Sequence, residues 1–236
     1  MGTVTILKWT PKDPLCQMGY NAGYCWGADV SDDEKNIKRA KDCILSGHGR
    51  TMEFPEVNMV LEGYSARVMR EWYTHIGGAP TRLQASTRYI EWKEEEFTDE
   101  IVLPKSVQMK LGHDLDSMAF KQAYDNYVKS FNQLIDFGKD LKVPKEDLAM
   151  FYPLGMKTKV ACKHNARNLM DMSRQRMCSR AYWEYRQLFN DVCKALSEYS
   201  EQWKWIVDNC FMPKCEATGE CPEKYSCGRK PQRSKA

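Results

Sequence analysis

A predicted strand runs directly into a predicted amphipathic helix at residue 165, and this junction constrains the fold. Residues 157–163 alternate between polar and apolar side chains, which is typical of a half-buried strand. Residues 165–176 then carry three arginines, two asparagines and one aspartate on a helical apolar pattern. A strand that feeds a helix places backbone N–H groups, an amide and a guanidinium at one helix N-terminus, which favours an anion or nucleotide site.

The faces of this helix can be separated by their spacing. Asn165, Leu169, Met172 and Arg176 fall on one side, because residues three and four apart are neighbours on a helix. Polar groups among apolar ones favour a binding surface. A second stripe of Arg167, Asp171 and Arg174 also fits an ordinary ion-pair face, worth roughly 0.2–0.5 kcal/mol per pair.

The rest of the chain alternates irregularly between predicted strands and helices. Further strands are predicted at 3–9 and 56–63, and a loop at 19–27. Helix starts are predicted at a capping box over 31–34, at Ser65, at Ser117 and at Pro144, and the helical region 165–197 has a predicted break near Ser179. This order predicts an α+β fold, with a mixed sheet and long flanking helices. We expect one domain over 1–209 and a cysteine-rich, basic tail over 210–236.

The longest predicted helix carries an apolar stripe that we interpret as core or subunit interface. The stripe consists of Phe120, Tyr124, Tyr127, Val128, Phe131, Leu134 and Ile135. The acidic run at 94–96 is interpreted as solvated surface.

Composition excludes several classes of protein. The net charge of +3 is too small to indicate a nucleic-acid partner by itself. No apolar run approaches the roughly 20 residues of a membrane helix. The first residues do not resemble a signal peptide, so we expect a cytoplasmic protein. A Gly-x-Gly-x-x-Gly loop is absent from the sequence, which speaks against a conventional Rossmann dehydrogenase.

The ten cysteines divide into two groups. Six are scattered and are interpreted as reduced core residues. The other four are Cys210, Cys215, Cys221 and Cys227. Four thiolates can hold a structural zinc or an iron–sulfur cluster, and disulfides or free thiols remain alternatives because the spacing lacks a Cys-x-x-Cys knuckle. Residues 229–236 are basic, and we predict them to be disordered.

Two blocks of sequence resemble the flavin-dependent thymidylate synthases. They are Asn-Ala-Arg-Asn-Leu at 165–169, continuing to Ser-Arg-Ala-Tyr-Trp-Glu-Tyr-Arg at 179–186, and Ser-Thr-Arg-Tyr at 86–89. The resemblance implies that the chain makes thymidylate from deoxyuridine monophosphate. FAD reduced by NADPH would supply the hydride, and methylenetetrahydrofolate the carbon. It also implies a homotetramer with active sites shared between chains.

The resemblance assigns roles to individual residues. Arg176 is expected to stabilise negative charge on the pyrimidine, for which a permanently charged guanidinium is suited. The nucleotide-binding residues implied by matching position are Gln84, Ser86 and Arg88. The flavin-binding residues implied in the same way are Thr51, His75, Asn165, Arg167 and Asp171.

The chain departs from the family pattern in its signature. The family's Arg-His-Arg is Thr74-His75-Ile76 here, and a phosphate-binding arginine of the family falls on Ala149. Arg82, on a lengthened loop, is a candidate replacement. Two other functions therefore stay open: a related hydroxymethyltransferase acting on a pyrimidine nucleotide, and a non-catalytic nucleotide- or nucleic-acid-binding protein.

Overall fold

The computed structural model describes residues 2–89, 100–111 and 115–233. The predicted acidic surface at 94–96 and the last three residues of the predicted disordered tail lie outside these ranges. The strands are β1 (Thr3–Ile6), β2 (Glu56–Ser65), β3 (Thr81–Gln84) and β4 (Lys157–Asn165). The helices are α1 (Pro14–Tyr24), α2 (Asp33–Leu45), α3 (Ala66–Trp72), α4 (Lys105–Gln108), α5 (Leu115–Asp140), α6 (Lys145–Leu148), α7 (Ala166–Arg176), α8 (Trp183–Tyr199), α9 (Glu201–Cys210) and α10 (Lys214–Thr218). Short 3₁₀ turns span Gly49–Glu53 and Ala149–Phe151.

The four strands form one sheet in the order β1-β2-β4-β3. β1 and β2 are antiparallel, with Thr3 opposite Glu62 and Ile6 opposite Met59. Alternation along β2 buries Val57, Met59 and Leu61 completely, as a strand with one face on the core requires. The helices together with this sheet confirm the predicted α+β class.

The chain divides into two compact units. The first comprises Gly63–Met69 and Gln84–Lys159, and the second comprises Gly2–Glu62, Arg70–Leu83 and the chain from Val160 onward. The tail after residue 210 therefore belongs to the second unit.

The core of the first unit lies between α5 and α6. It is built from Phe131, Ile135 and Leu148, each at most 5% exposed. These residues confirm the core interpretation for only part of the predicted stripe, because Phe120, Tyr127 and Leu134 are 44–47% exposed. The prediction that Ser117 caps this helix is wrong. α5 already begins at Leu115, so Ser117 is a residue of the helix itself, and it is buried.

In the second unit α1 packs closely on α2. A Cβ at Gly19 would lie 1.7 Å from the carbonyl oxygen of Asn36, so only glycine permits this approach. The predicted loop over 19–27 is therefore wrong up to Tyr24, since its glycines serve helix packing. Asp32, rather than Ser31, caps α2 and accepts a hydrogen bond from the Lys35 N–H.

Several predicted helix boundaries are confirmed. The Val68 N–H donates to the Ser65 hydroxyl, which marks the start of α3. The predicted helical break near Ser179 separates α7 from α8. Within the described ranges, no helix combines the length and apolar composition needed to cross a bilayer.

Candidate active site

The N-terminus of α7 is capped from within the chain. The Asn165 side chain accepts a hydrogen bond of 2.8 Å from the Asn168 N–H, and the Ala166 N–H donates to the Pro55 carbonyl over 3.1 Å. Two of the first N–H groups therefore already have partners. The helix end offers an anion fewer backbone donors than the sequence led us to expect.

A buried polar network fixes this end of α7. The Trp72 indole N–H donates to His164 Nε2 over 3.0 Å, and His164 Nδ1 lies 2.5 Å from Asn168 Oδ1. Since Nε2 accepts, Nδ1 carries the proton and donates. Burial lowers the pKa of His164 to about 4, so the imidazole is neutral near pH 7.

Arg176, the predicted catalytic residue, lies at the other end of α7 and is held by two side chains. Its Nη1 donates to Glu71 Oε2 and its Nε donates to His75 Nε2, each over 2.9 Å. The Arg176 and Glu71 side chains are 20% and 29% exposed, so this ion pair is neither fully buried nor a freely solvated surface pair. The guanidinium keeps Nη2 free of any bond within the described part of the chain.

An aromatic platform lies beneath this guanidinium. The Arg176 Cζ is 4.5 Å from the centroid of the Tyr185 ring, within cation–π range. Tyr185 is fully buried and stacks on Trp72, with centroids 5.7 Å apart. Burial raises the pKa of Tyr185, so its phenol stays protonated.

His75 is neutral in this cluster. Burial lowers its pKa to about 4, and the nearby charges of Arg176 and Arg82 act in the same direction. The neutral ring can therefore accept the hydrogen bond from Arg176. Arg82 Nη2 donates to the His75 carbonyl oxygen, and its guanidinium is 5.3 Å from the Tyr73 ring centroid. Arg82 Nε is buried without a partner, and burial lowers the pKa of this guanidinium.

Three of the predicted flavin-binding segments meet around α7. Arg167 packs against the turn that contains Thr51, since a Cβ at Gly49 would lie 1.9 Å from Arg167 Nη1. A Cβ at Gly78, in the loop after His75, would lie 2.6 Å from Asn165 Nδ2. The Thr51 hydroxyl itself donates to the His48 carbonyl.

Asp171, the fifth predicted flavin ligand, lies at the surface. Its Oδ2 is 3.4 Å from Arg167 Nε, which is the ordinary ion pair that the spacing also allowed.

The predicted nucleotide-binding residues Gln84, Ser86 and Arg88 belong to the first unit. Gln84 Nε2 donates to the Thr158 hydroxyl over 3.2 Å. The Arg88 N–H donates to Ser86 Oγ, and the Arg88 side chain forms an exposed ion pair of 2.7 Å with Glu146. In this structure Arg88 is thus held by a carboxylate of the same unit.

The four tail cysteines do not all lie at one place in the structure. Among the described residues no three His, Cys, Asp or Glu side chains form a group that could hold an ion, although all ten cysteines are free thiols. Cys215, Cys221 and Cys227 line one cavity, while Cys210 is buried and does not line it. This arrangement speaks against the predicted four-thiolate zinc or iron–sulfur site.

Sequence reasoning assigned no role to Glu71, Tyr185 or Gly78. Glu71 and Arg176 are 105 positions apart, so no local spacing could reveal their pairing. Gly78 has a positive φ of 74°, and the Gly-Gly pair at 77–78 is the sequence signal for such a turn.

Comparison with known proteins identifies a family. Residues 9–200 match the family model described as thymidylate synthase complementing protein. The flavin-dependent thymidylate synthase of Geobacter sulfurreducens is 28% identical over 96% of this chain and 94% of its own length. That of Saccharolobus solfataricus is also 28% identical, and the match covers 78% of this chain and 66% of the relative.

A solved structure shares the fold. Thymidylate synthase X of Helicobacter pylori, crystallised with FAD and dUMP, superposes with a TM-score of 0.66 and covers 89% of this chain and 99% of its own, at 17% identity. Because the family model spans most of the sequence, the chain belongs to the thymidylate synthase complementing protein family, whose curated relatives are flavin-dependent thymidylate synthases.

Proposed function

We propose that this chain is a flavin-dependent thymidylate synthase, which methylates deoxyuridine monophosphate with FAD as its cofactor. The observation that carries the proposal is the Arg176 guanidinium, held by Glu71 and His75 over the Tyr185 ring in a chain that belongs to this family. NADPH and methylenetetrahydrofolate are the proposed co-substrates.

The residues around α7 fit a flavin and a pyrimidine nucleotide. Arg82 Nε and the Tyr185 hydroxyl are buried without partners, so hydrogen-bonding capacity remains for a polar ligand. Asn165 and Arg167 add amide and guanidinium donors, and Thr51 adds a hydroxyl oxygen that can still accept, because its proton is donated to the His48 carbonyl. We propose these three, with His75 and Asp171, as the flavin-binding residues; the flavin supplies a hydride donor when bound.

The chemistry requires charge stabilisation on the pyrimidine. C5 of uracil is a poor nucleophile until negative charge develops at N3 and O2, and a fixed cation beside that edge stabilises this charge. We assign this role to Arg176, whose free Nη2 can donate to the base. Glu71 and His75 restrict the guanidinium to one orientation, and neutral His75 keeps a lone pair for Arg176 because its pKa is low.

The nucleotide phosphate is proposed to be held by arginines other than those in the family signature. Arg82 of the second unit and Arg88 of the first unit are alternative candidates, and Gln84 and Ser86 are hydrogen-bonding groups of the same unit as Arg88. Arg88 would have to exchange Glu146 for phosphate. Little stability opposes this exchange, because the two side chains are 64% and 54% exposed and such ion pairs are weak.

Assembly and location are further parts of the proposal. The exposed Phe120, Tyr127 and Leu134 on α5 offer apolar area for a homotetramer. The ten free thiols support a reducing compartment, for which we propose the cytoplasm. We propose neither a membrane nor a nucleic acid as a partner.

The test is incubation with dUMP, methylenetetrahydrofolate, FAD and NADPH, with the product identified by mass. A methylated nucleotide is expected, and a hydroxymethylated one would identify the related transferase instead. Protein that binds FAD but produces neither nucleotide would contradict both activities. Failure to acquire the yellow flavin spectrum would favour a non-catalytic nucleotide-binding protein.

A further inference from the structure

A cavity of about 440 Å³ lies between the end of α7 and the C-terminal tail, mostly outside the residues that match the family. Its walls are tied together by hydrogen bonds. The Met212 N–H donates to Ser173 Oγ over 3.2 Å, and Arg180 donates through Nε and Nη2 to the Tyr225 carbonyl over 3.1 and 2.8 Å. The cavity has the size of ordinary small-molecule sites, which span roughly 300–1,000 Å³.

The charges that line this cavity favour an anion. The cavity is lined by four cationic side chains and by one carboxylate, that of Glu223. The four are Arg174, Arg180, Lys214 and Arg229. The Arg180 guanidinium already donates to the Tyr225 carbonyl, and Arg229 Nε forms an ion pair of 3.5 Å with Glu216 Oε1. Lys214 forms no ion pair with any residue that the structure describes.

Two polar groups at the cavity lack partners. Arg174 Nη1 and Ser179 Oγ are both buried without hydrogen bonds. Arginine in the last turn of α7 would also be favoured by the helix dipole, but that explanation leaves a buried N–H unsatisfied.

We propose that this cavity binds the phosphate group of a small phosphorylated molecule through Arg174, Ser179 and Lys214. A phosphate monoester has three terminal oxygens, which match the three unused donors. Guanidinium and hydroxyl groups are usual phosphate ligands. This site is separate from the Arg176 cluster, and its test needs no enzymatic activity.

The remaining wall indicates a ligand of nucleotide type. The Tyr225 ring is 65% exposed and lies beside two cations, with Arg180 Cζ 5.8 Å and Lys224 Nζ 5.4 Å from its centroid. A base could stack on this ring while its phosphate reaches Arg174. Inorganic phosphate would use the same donors without the stacking contribution.

The experiment is isothermal titration calorimetry on FAD-loaded protein in phosphate-free buffer. Inorganic phosphate and adenosine monophosphate are the two probes. Saturable binding of at least one probe is expected. Arg174→Gln should weaken it roughly tenfold or more, because a hydrogen bond to a charged group is lost. Arg174→Lys should lose less, and Lys194→Gln, an exposed cation of α8, should bind as the wild type does.

The outcomes separate the possible sources of phosphate. Tighter binding of adenosine monophosphate, lost in Tyr225→Ala, assigns the cavity to a nucleotide, while equal affinities assign it to free phosphate. The melting temperature of Arg174→Gln should not fall without ligand, because Nη1 has no partner to lose. Absence of binding by either probe, or unchanged binding in Arg174→Gln, would overturn the proposal.

Discussion

The buried imidazole of His164 should make the stability of the fold depend on pH in a defined direction. Its pKa is about 4 in the folded chain, against an ordinary value near 6.5. Below pH 6.5 the His164 imidazole binds a proton in the unfolded chain but stays neutral in the folded chain until the pH approaches 4. The contribution of His164 is therefore complete above pH 6.5 and is lost as the pH falls toward 4.

The size of this effect follows from the two pKa values. A single group with this shift lowers the free energy of unfolding by about 1 kcal/mol between pH 7 and pH 5.5, and by about 3 kcal/mol at pH 4. His75 acts in the same direction, because its pKa is also about 4. The contribution of His164 must therefore be measured against a variant that lacks only this histidine.

Urea unfolding at fixed protein concentration, in steps from pH 7 to pH 5, measures this dependence. His164→Gln removes the titrating ring and leaves an oxygen that can accept from Trp72. The variant should lose less stability than the wild type over that interval, by about 2 kcal/mol. Hydrogen–deuterium exchange at the imidazole C2 position, followed by peptide mass, reports the pKa of His164 directly in the intact protein. A measured pKa near 6.5, or equal pH dependence in both proteins, would refute the reasoning.

Four further changes test other parts of the structure. Glu71→Gln keeps an acceptor for the guanidinium that it holds, so it should lower kcat less than Glu71→Ala in steady-state assays; equal losses would count against a positioning role. Gly78→Ala places a Cβ 2.6 Å from Asn165 Nδ2 at a φ of 74° and should cost about 1 kcal/mol or more in urea unfolding, and an unchanged midpoint would contradict this. Leu148→Ala should cost about 2–5 kcal/mol, whereas Met150→Ala, 84% exposed in the wild type, should cost less than about 0.5 kcal/mol. Treatment with a metal chelator should leave the melting temperature unchanged, because the tail cysteines form no metal-binding group; a marked fall would restore the zinc interpretation.

The features that the sequence predicted well are those encoded locally. Alternation over 157–163 and the Asn-Ala-Arg start of the following helix located β4, α7 and the Asn165 cap, because strand period, helix period and capping depend on neighbouring residues. The fold class followed from the irregular order of these elements.

The errors arise where distant contacts decide the structure. Gly19 lies within a helix because Asn36 of α2 approaches its backbone, and no local pattern contains that contact. Glu71 likewise becomes a partner of Arg176 only through the fold. The four tail cysteines are spaced as metal ligands can be in sequence, but only three of them line one cavity, and that placement depends on the fold of the tail.

The most direct test of the account is tritium release from dUMP labelled at C5, since methylation at that carbon must expel its hydrogen. The wild-type protein with FAD, NADPH and methylenetetrahydrofolate should release tritium. Arg176→Gln should lower the rate roughly 100-fold or more while still binding FAD. Arg70→Gln, which changes an exposed arginine beside Glu71, should release tritium at the wild-type rate. Near-normal release by Arg176→Gln would contradict the role assigned to this guanidinium.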